Sequence, residues 1–93
     1  MGVAFDEAKR ARVLAEREID ISRAGEVFDG FHLTRRDDKH SGREDRFHSV
    51  GLLDDVVVIA TWTPCDGLRR IVTMWKASER ERARHHEQRD RSG

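Results

Sequence analysis

The chain has 93 residues, enough for one domain and too few for two with separate cores. Apolar residues make up 37% and charged residues 39%, so the core is small and the surface heavily ionic. Lys and Arg number 18 and Asp and Glu number 18, which leaves no net field to draw in a polyanion from a distance, so any contact with nucleic acid must rest on a local basic cluster.

In chain order, Met1 to Arg12 lacks the apolar segment of a signal peptide, and a cytoplasmic location is expected. The short "VAF" reads as an edge strand ending at Asp6. Asp6 is an N-cap for a helix through Glu18, with Ala8, Ala11, Leu14 and Ala15 at helical spacing. In "DISRAGEVFDG" Asp20 caps again, Ile21, Ala24, Val27 and Phe28 share a face, and Gly30 stops the helix. Together these segments suggest a helical hairpin lying on a sheet.

The middle of the chain reads as β-structure. "FHLTRR" is a strand followed by the polar loop "DDKHSGRED", and "RFHSVGL" and "VVVIATW" flank a turn at Leu53, Asp54 and Asp55. Val56 to Ala60 is apolar at every position, far too short for a membrane span but suited to a central strand covered on both faces. "TPCDGL" carries Pro64 and Asp66-Gly67, which is hairpin chemistry, and "RRIVTMWK" is the last strand. Cys65, the single cysteine, reads as a surface thiol in a reducing compartment. Ser78 and Glu81 form a capping box for a final helix with almost no apolar stripe, held by pairs such as Glu81 with Arg84 or His85. The fold class is α+β, one domain over residues 1–93, with about 88–93 expected as a flexible tail.

Several chemistries have no support in the spacing. His85 and His86 point about 100° apart on a helix, so they cannot grip one metal, and no structural zinc is expected. The glycines are scattered and form no phosphate loop, and no nucleophile elbow is present. What remains is "RRDDKHSGREDRFH". One reading is a solvated loop whose charges neutralise each other. The other is a metal-free site for phosphodiester cleavage, which needs cations to stabilise a phosphorane and a carboxylate or imidazole to take a 2′-hydroxyl proton. Glu44, Arg46 and His48 are spaced to fall in one row of a strand, offering a base, a cation and a second acid–base group.

Taken together, "FDEAKRARVLAEREIDI", "AGEVFDG", the E-x-R-F-x-x-x-G string of Glu44, Arg46, Phe47 and Gly51, and "RIVTMWKAS-x-x-E" resemble the BrnT ribonuclease toxins of type II toxin–antitoxin pairs, from Phe5 to about Glu87. The resemblance implies a RelE-like fold, with a small antiparallel sheet packed by two N-terminal helices and one C-terminal helix. It implies RNA cleavage without a metal or other cofactor, and neutralisation by a BrnA-type antitoxin whose DNA-binding domain lets the complex, not the toxin alone, occupy the operator. It also implies a cationic role for Lys39 and Arg70 beside Arg46, with Glu44 or His48 as base. Trp75, Lys76 and His85 are then expected to contact RNA.

Departures from the family pattern bear on activity. Trp75 stands where the last strand of the family usually has an arginine, and an indole can stack on a base but cannot neutralise a phosphate. His85 stands near a usual tyrosine, and the family's Asn, His and Gly of the first helix and its exit fall on Val13, Arg17 and Glu18. Two functions are compatible with this pattern: an endoribonuclease toxin, or a catalytically weakened relative that acts through antitoxin binding and operon control. A free-standing nucleic-acid-binding module is disfavoured by the zero net charge and the lack of a recognition motif.

Overall fold

The computed structural model describes residues 2–92. In chain order the elements are β1 (Val3–Phe5), α1 (Glu7–Arg17), a 3-10 turn (Ile21–Arg23), α2 (Ala24–Asp29), β2 (His32–Arg36), β3 (Phe47–Leu53), β4 (Val56–Cys65), β5 (Leu68–Lys76) and α3 (Glu79–Ser92). The strands form one sheet in the order β1-β5-β4-β3-β2. β1 runs parallel to β5, while the other neighbours are antiparallel. This is the α+β arrangement expected: a mostly antiparallel sheet, two helices before it and one after.

Capping sets the N-terminal layer. The Asp6 carboxylate accepts from Ala8 N at 2.8 Å, and α1 ends at Glu18, whose left-handed backbone (φ 59°) donates to Leu14 O at 3.0 Å. The face α1 buries is not the expected one: Val13 is its buried residue, whereas Ala8, Ala11, Leu14 and Ala15 are exposed. Arg10 explains the rotation. Its guanidinium bridges both oxygens of Asp20 (2.9 and 3.1 Å), which turns the stripe holding Arg10 and Val13 inward. Asp20 also caps the 3-10 turn through Ser22 N at 3.0 Å, and these bonds, from Arg10 first, lower its pKa to about 2. Ile21, Ala24 and Val27 then enter the core, as their spacing predicts, and Gly30 ends α2.

Two tight hairpins build the meander. Asp54 and Asp55 both have positive φ (51° and 62°), as do Asp66 and Gly67 (50° and 77°), the backbone of two-residue type I′ loops whose twist matches the flanking strands. β4 outruns the expected end at Trp62 and reaches Cys65, so Pro64 lies in the strand and not in the turn. It lies past the last β3 pairing (Phe47 with Trp62), where β4 has a free edge and a missing N–H is tolerated. β4 is the central strand, buried from Val57 to Thr63, while Val56 at the hairpin end is 41% exposed.

Alternation sorts the side chains into two faces. Phe47, Leu53, Val58, Ala60, Trp62, Ile71 and Met74 join Val13, Ile19, Ile21, Ala24 and Val27 in the main core under α1 and α2. Ile71 and Met74 share this face although three apart, because a register shift beside Thr61 and Trp62 makes Val72 an extra residue in β5. The opposite face has a smaller cluster of Val50, Val57 and Ile59, flanked by Leu52, Trp75 and Ala77.

α3 leans on this second face. Glu81 N donates to Ser78 Oγ at 3.3 Å, half of the expected capping box. The Glu81 carboxylate does not return to Ser78 or pair along the helix; it reaches Arg35 of β2 at 3.3 Å. α3 continues to Ser92, so 88–92 is helical. Among the described residues no helix is long and apolar enough to cross a membrane.

One contact sets how closely α2 approaches the sheet. A Cβ on Gly51 would stand 2.7 Å from Val27 Cγ1 and 3.2 Å from Val27 O. Gly51→Ala should therefore lift α2 and lower stability by about 1–3 kcal/mol, the usual cost of overpacking, measured as a lower urea midpoint; an unchanged midpoint would refute this packing account.

Candidate functional site

The second face carries, beside its small apolar cluster, a polar region built by β3, β4, β5 and the loop 37–46. Two of the loop's acidic groups are taken up at its base, where Arg36 pairs with Asp38 and, at 3.1 Å, with Asp45. Lys39, Arg43 and Arg46 have no acidic partner among the described residues, and these free cations are what a net charge of zero conceals.

The row expected from Glu44, Arg46 and His48 is corrected by the fold. β3 begins at Phe47, so Glu44 and Arg46 belong to the loop and only His48 to the strand. The loop nevertheless folds back so that Glu44 meets Arg70 of β5 at 3.2 Å. Both groups are largely exposed, so this pair contributes little to stability and remains open to solvent. Arg46 is half-buried, and Lys39 stands exposed in the turn at 38–40.

His48 is held on both sides: Nδ1 lies 2.8 Å from Thr61 Oγ1 and Nε2 lies 2.9 Å from Asp37 Oδ2. Trp75 meets the His48 ring edge-on with centroids 5.8 Å apart and packs half-buried beside the Val50, Val57 and Ile59 cluster. Its position at the strand end is thus a packed one that leaves part of the indole open beside the polar region.

Asp37 is the residue that sequence reasoning missed. Its side chain is only 10% exposed, and besides His48 it accepts from His40 N (3.1 Å) and contacts His40 Nδ1 (3.0 Å). Burial by itself would raise its pKa, but the bonds from the His40 main chain and from His48 and His40 outweigh it and hold the carboxyl below its usual range. The available signal was the D-x-x-H spacing, in which an aspartate closes a turn on the amide three residues on.

Two expected RNA contacts do not face this region. Lys76 pairs across from Val58 and, by strand alternation from Trp75, points to the opposite face, into a cleft with Glu18, Asp20 and Asp54. His85 is fully buried, its ring against Phe31 with centroids 5.4 Å apart. α3 has almost no apolar residues, and this imidazole, packed on Phe31 just before β2, is its one fully buried side chain among the described residues. Neither ring nitrogen reaches hydrogen-bond geometry among the described residues. Burial lowers the His85 pKa below the ordinary 6.5, His86 and Arg89 add to this, and the nearby Phe31 main chain opposes it only partly. Between β2 and α3 lies a cleft of about 270 Å³ lined by Leu33, Arg35, Val50, Glu81, Arg84 and Gln88.

The fold and this face define a small α+β domain with a carboxylate–guanidinium pair and an imidazole–carboxylate pair on one side of a sheet, and a loop whose cations Lys39, Arg43 and Arg46 have no acidic partner among the described residues. The family described as "Ribonuclease toxin, BrnT, of type II toxin-antitoxin system" matches residues 5–81, and the chain belongs to that family. Membership implies an RNA substrate and an antitoxin partner. Comparison with curated proteins gives no significant match.

The buried imidazole predicts a pH dependence. Because the His85 pKa is lower in the folded state, the unfolded chain binds more protons below about pH 6.5, and stability falls as pH drops from there through the folded value. The thermal midpoint should decrease between about pH 7.5 and about pH 5.5. His85→Leu should remove most of that decrease; an equal decrease in both chains would show that His85 is not its source.

Proposed function

We propose that this chain cleaves RNA without a metal, using Lys39, Arg46 and Arg70 to neutralise the phosphate and Glu44 or His48 to take the 2′-hydroxyl proton. The observation that carries this reading is the return of the loop to β5, which sets Glu44 3.2 Å from Arg70, while Lys39 and Arg46 of the same loop have no acidic partner among the described residues. In-line attack by the 2′-oxygen forms the new P–O bond, the P–O5′ bond breaks, and the charge gathering on the equatorial oxygens is met by guanidinium and ammonium groups. The proton leaves to the carboxylate or imidazole, and the departing 5′-oxygen takes one from solvent or a protonated neighbour. Trp75 offers a stacking surface for a base, a contact of about 1–3 kcal/mol. Lys76 and His85 have no part in this reading, since one faces away and the other is buried.

The partner in this reading is a BrnA-type antitoxin with a DNA-binding domain, which covers the polar face and the outer side of α3 and carries the complex to its operator. The compartment is the cytoplasm. A second reading, a weakened enzyme kept for antitoxin binding and operon control, is favoured by one observation: Trp75 packs where the resemblance leads one to expect a cation.

Expression of the chain alone should arrest growth and degrade bulk RNA. Ala at Lys39, Glu44, Arg46 and Arg70 in turn should relieve the arrest, leaving the thermal midpoint nearly unchanged at Lys39, Glu44 and Arg70, because exposed charges contribute little to folding, and lowering it modestly at the half-buried Arg46. Toxicity retained in all four variants would eliminate the site.

Trp75→Arg should raise RNA cleavage by about 10²–10³-fold, the usual effect of one electrostatic stabiliser. An unchanged rate in a folded variant would rule out Trp75 as the substitute for a catalytic cation.

A further inference from the structure

His48 sits in the polar region like a catalytic imidazole, but its hydrogen bonds restrict what it can do. The Asp37 carboxylate, held ionised, only accepts, so Nε2 of His48 must carry the proton of the 2.9 Å contact. In the neutral ring the lone pair is then on Nδ1, where Thr61 Oγ1 lies at 2.8 Å and donates to it. Thr61 is 3% exposed, so substrate does not readily displace it. If the ring is protonated, both nitrogens donate and neither accepts. The other groups around the ring do not free it: Trp75 stands at its edge, Arg35, its cross-strand neighbour, reaches Glu81, and His40 shares the Asp37 carboxylate. In either protonation state His48 has no open lone pair for a substrate hydroxyl. Glu44 does, since its side chain is 61% exposed with Arg70 as its neighbour.

Asp37 ties this ring to the loop. Its main-chain N donates to Arg46 O at 2.7 Å, and its carbonyl accepts from Ser41 N at 3.0 Å. Ser41 Oγ in turn accepts from Arg46 N at 2.9 Å. With the His40 contacts, these bonds join both ends of the segment that carries Lys39, Glu44 and Arg46 to one residue, and His48 joins that residue to the sheet.

We infer that Asp37 is a positioning residue of the RNA-cleaving site, holding Glu44 against Arg70 and fixing the main chain of Arg46 through the loop and the pinned His48, and that Glu44, not His48, takes the 2′-hydroxyl proton. The inference rests on the ribonuclease reading. It predicts that Asp37→Asn lowers cleavage of a synthetic RNA oligonucleotide by about 10–100-fold, the scale of a misplaced catalytic group. Asp37→Ala, which leaves no oxygen to accept from His40 N, should remove hydrogen-exchange protection at the His40 amide and weaken it at Arg46 without unfolding the sheet.

The test measures kcat/KM against pH for the full chain and its variants. Glu44→Gln should abolish the acid limb. His48→Gln, whose amide can still donate to Asp37, should keep that limb and lose no more activity than Asp37→Asn, whereas His48→Ala should match Asp37→Ala in its weakened amide protection at Arg46. Loss of the acid limb in His48→Gln, or a wild-type rate in Asp37→Asn, would overturn the inference. Should Asp37→Asn fail to fold, His48→Gln and His48→Ala carry the same test. If the wild-type chain cleaves no RNA, the ribonuclease reading fails and the catalytic part of this inference with it. Amide protection at His40 and Arg46 in Asp37→Ala then still decides whether Asp37 holds the loop.

Discussion

The close approach of Val27 to Gly51 sets the layout of the molecule. With no side chain on Gly51, α2 can sit low on one face of the sheet, and Ile21, Ala24 and Val27 become fully buried there. That face is thereby filled. What remains for chemistry is the other face, where α3 leans against only part of the surface and the β3–β4–β5 region near Thr61 stays polar. A glycine on the helical side thus determines which side of the sheet can hold a site.

The proposed site would reconcile a neutral chain with an anionic substrate. Arg10 with Asp20, Arg23 with Glu26 and Asp54, and Arg36 with Asp38 and Asp45 take up acidic and basic groups alike. Lys39, Arg43 and Arg46 stay outside these pairings, all within one loop. Long-range steering is absent in such a chain, so recognition depends on contacts made after encounter.

Much of the fold was legible in the sequence because its signals were local and mutually consistent. Asp6, Asp20 and Ser78 each cap a helical turn, Asp66-Gly67 closes a hairpin, and the unbroken run from Val57 marks the central strand. The inward face of α1 was not legible, since it depends on Arg10 finding Asp20 ten residues away. The site was legible in part. Glu44 and Arg70 could be nominated by type, but their meeting depends on how a loop folds back. Strand alternation turns Lys76 to the opposite face, and α3 buries His85 for want of apolar residues; neither outcome is visible in the residue types alone. Asp37 looked like one more loop charge; only the fold brings it to His48.

The parallel pairing of β1 has a consequence for how the chain is made. Val3 to Phe5 are made before the rest of this fold, yet their hydrogen-bonding partners are Arg69 to Ile71. The meander from β3 to β5 closes through two short hairpins and can form from neighbouring residues, whereas β1 has no edge to join until β5 exists. α1 comes directly after β1, so it too lacks its seat until then. Arg70, the cation that meets Glu44, lies in that same late strand. On the proposed site, a nascent chain therefore lacks Arg70 until its last strand emerges, and a ribonuclease of this kind is assembled beside RNA without being armed against it.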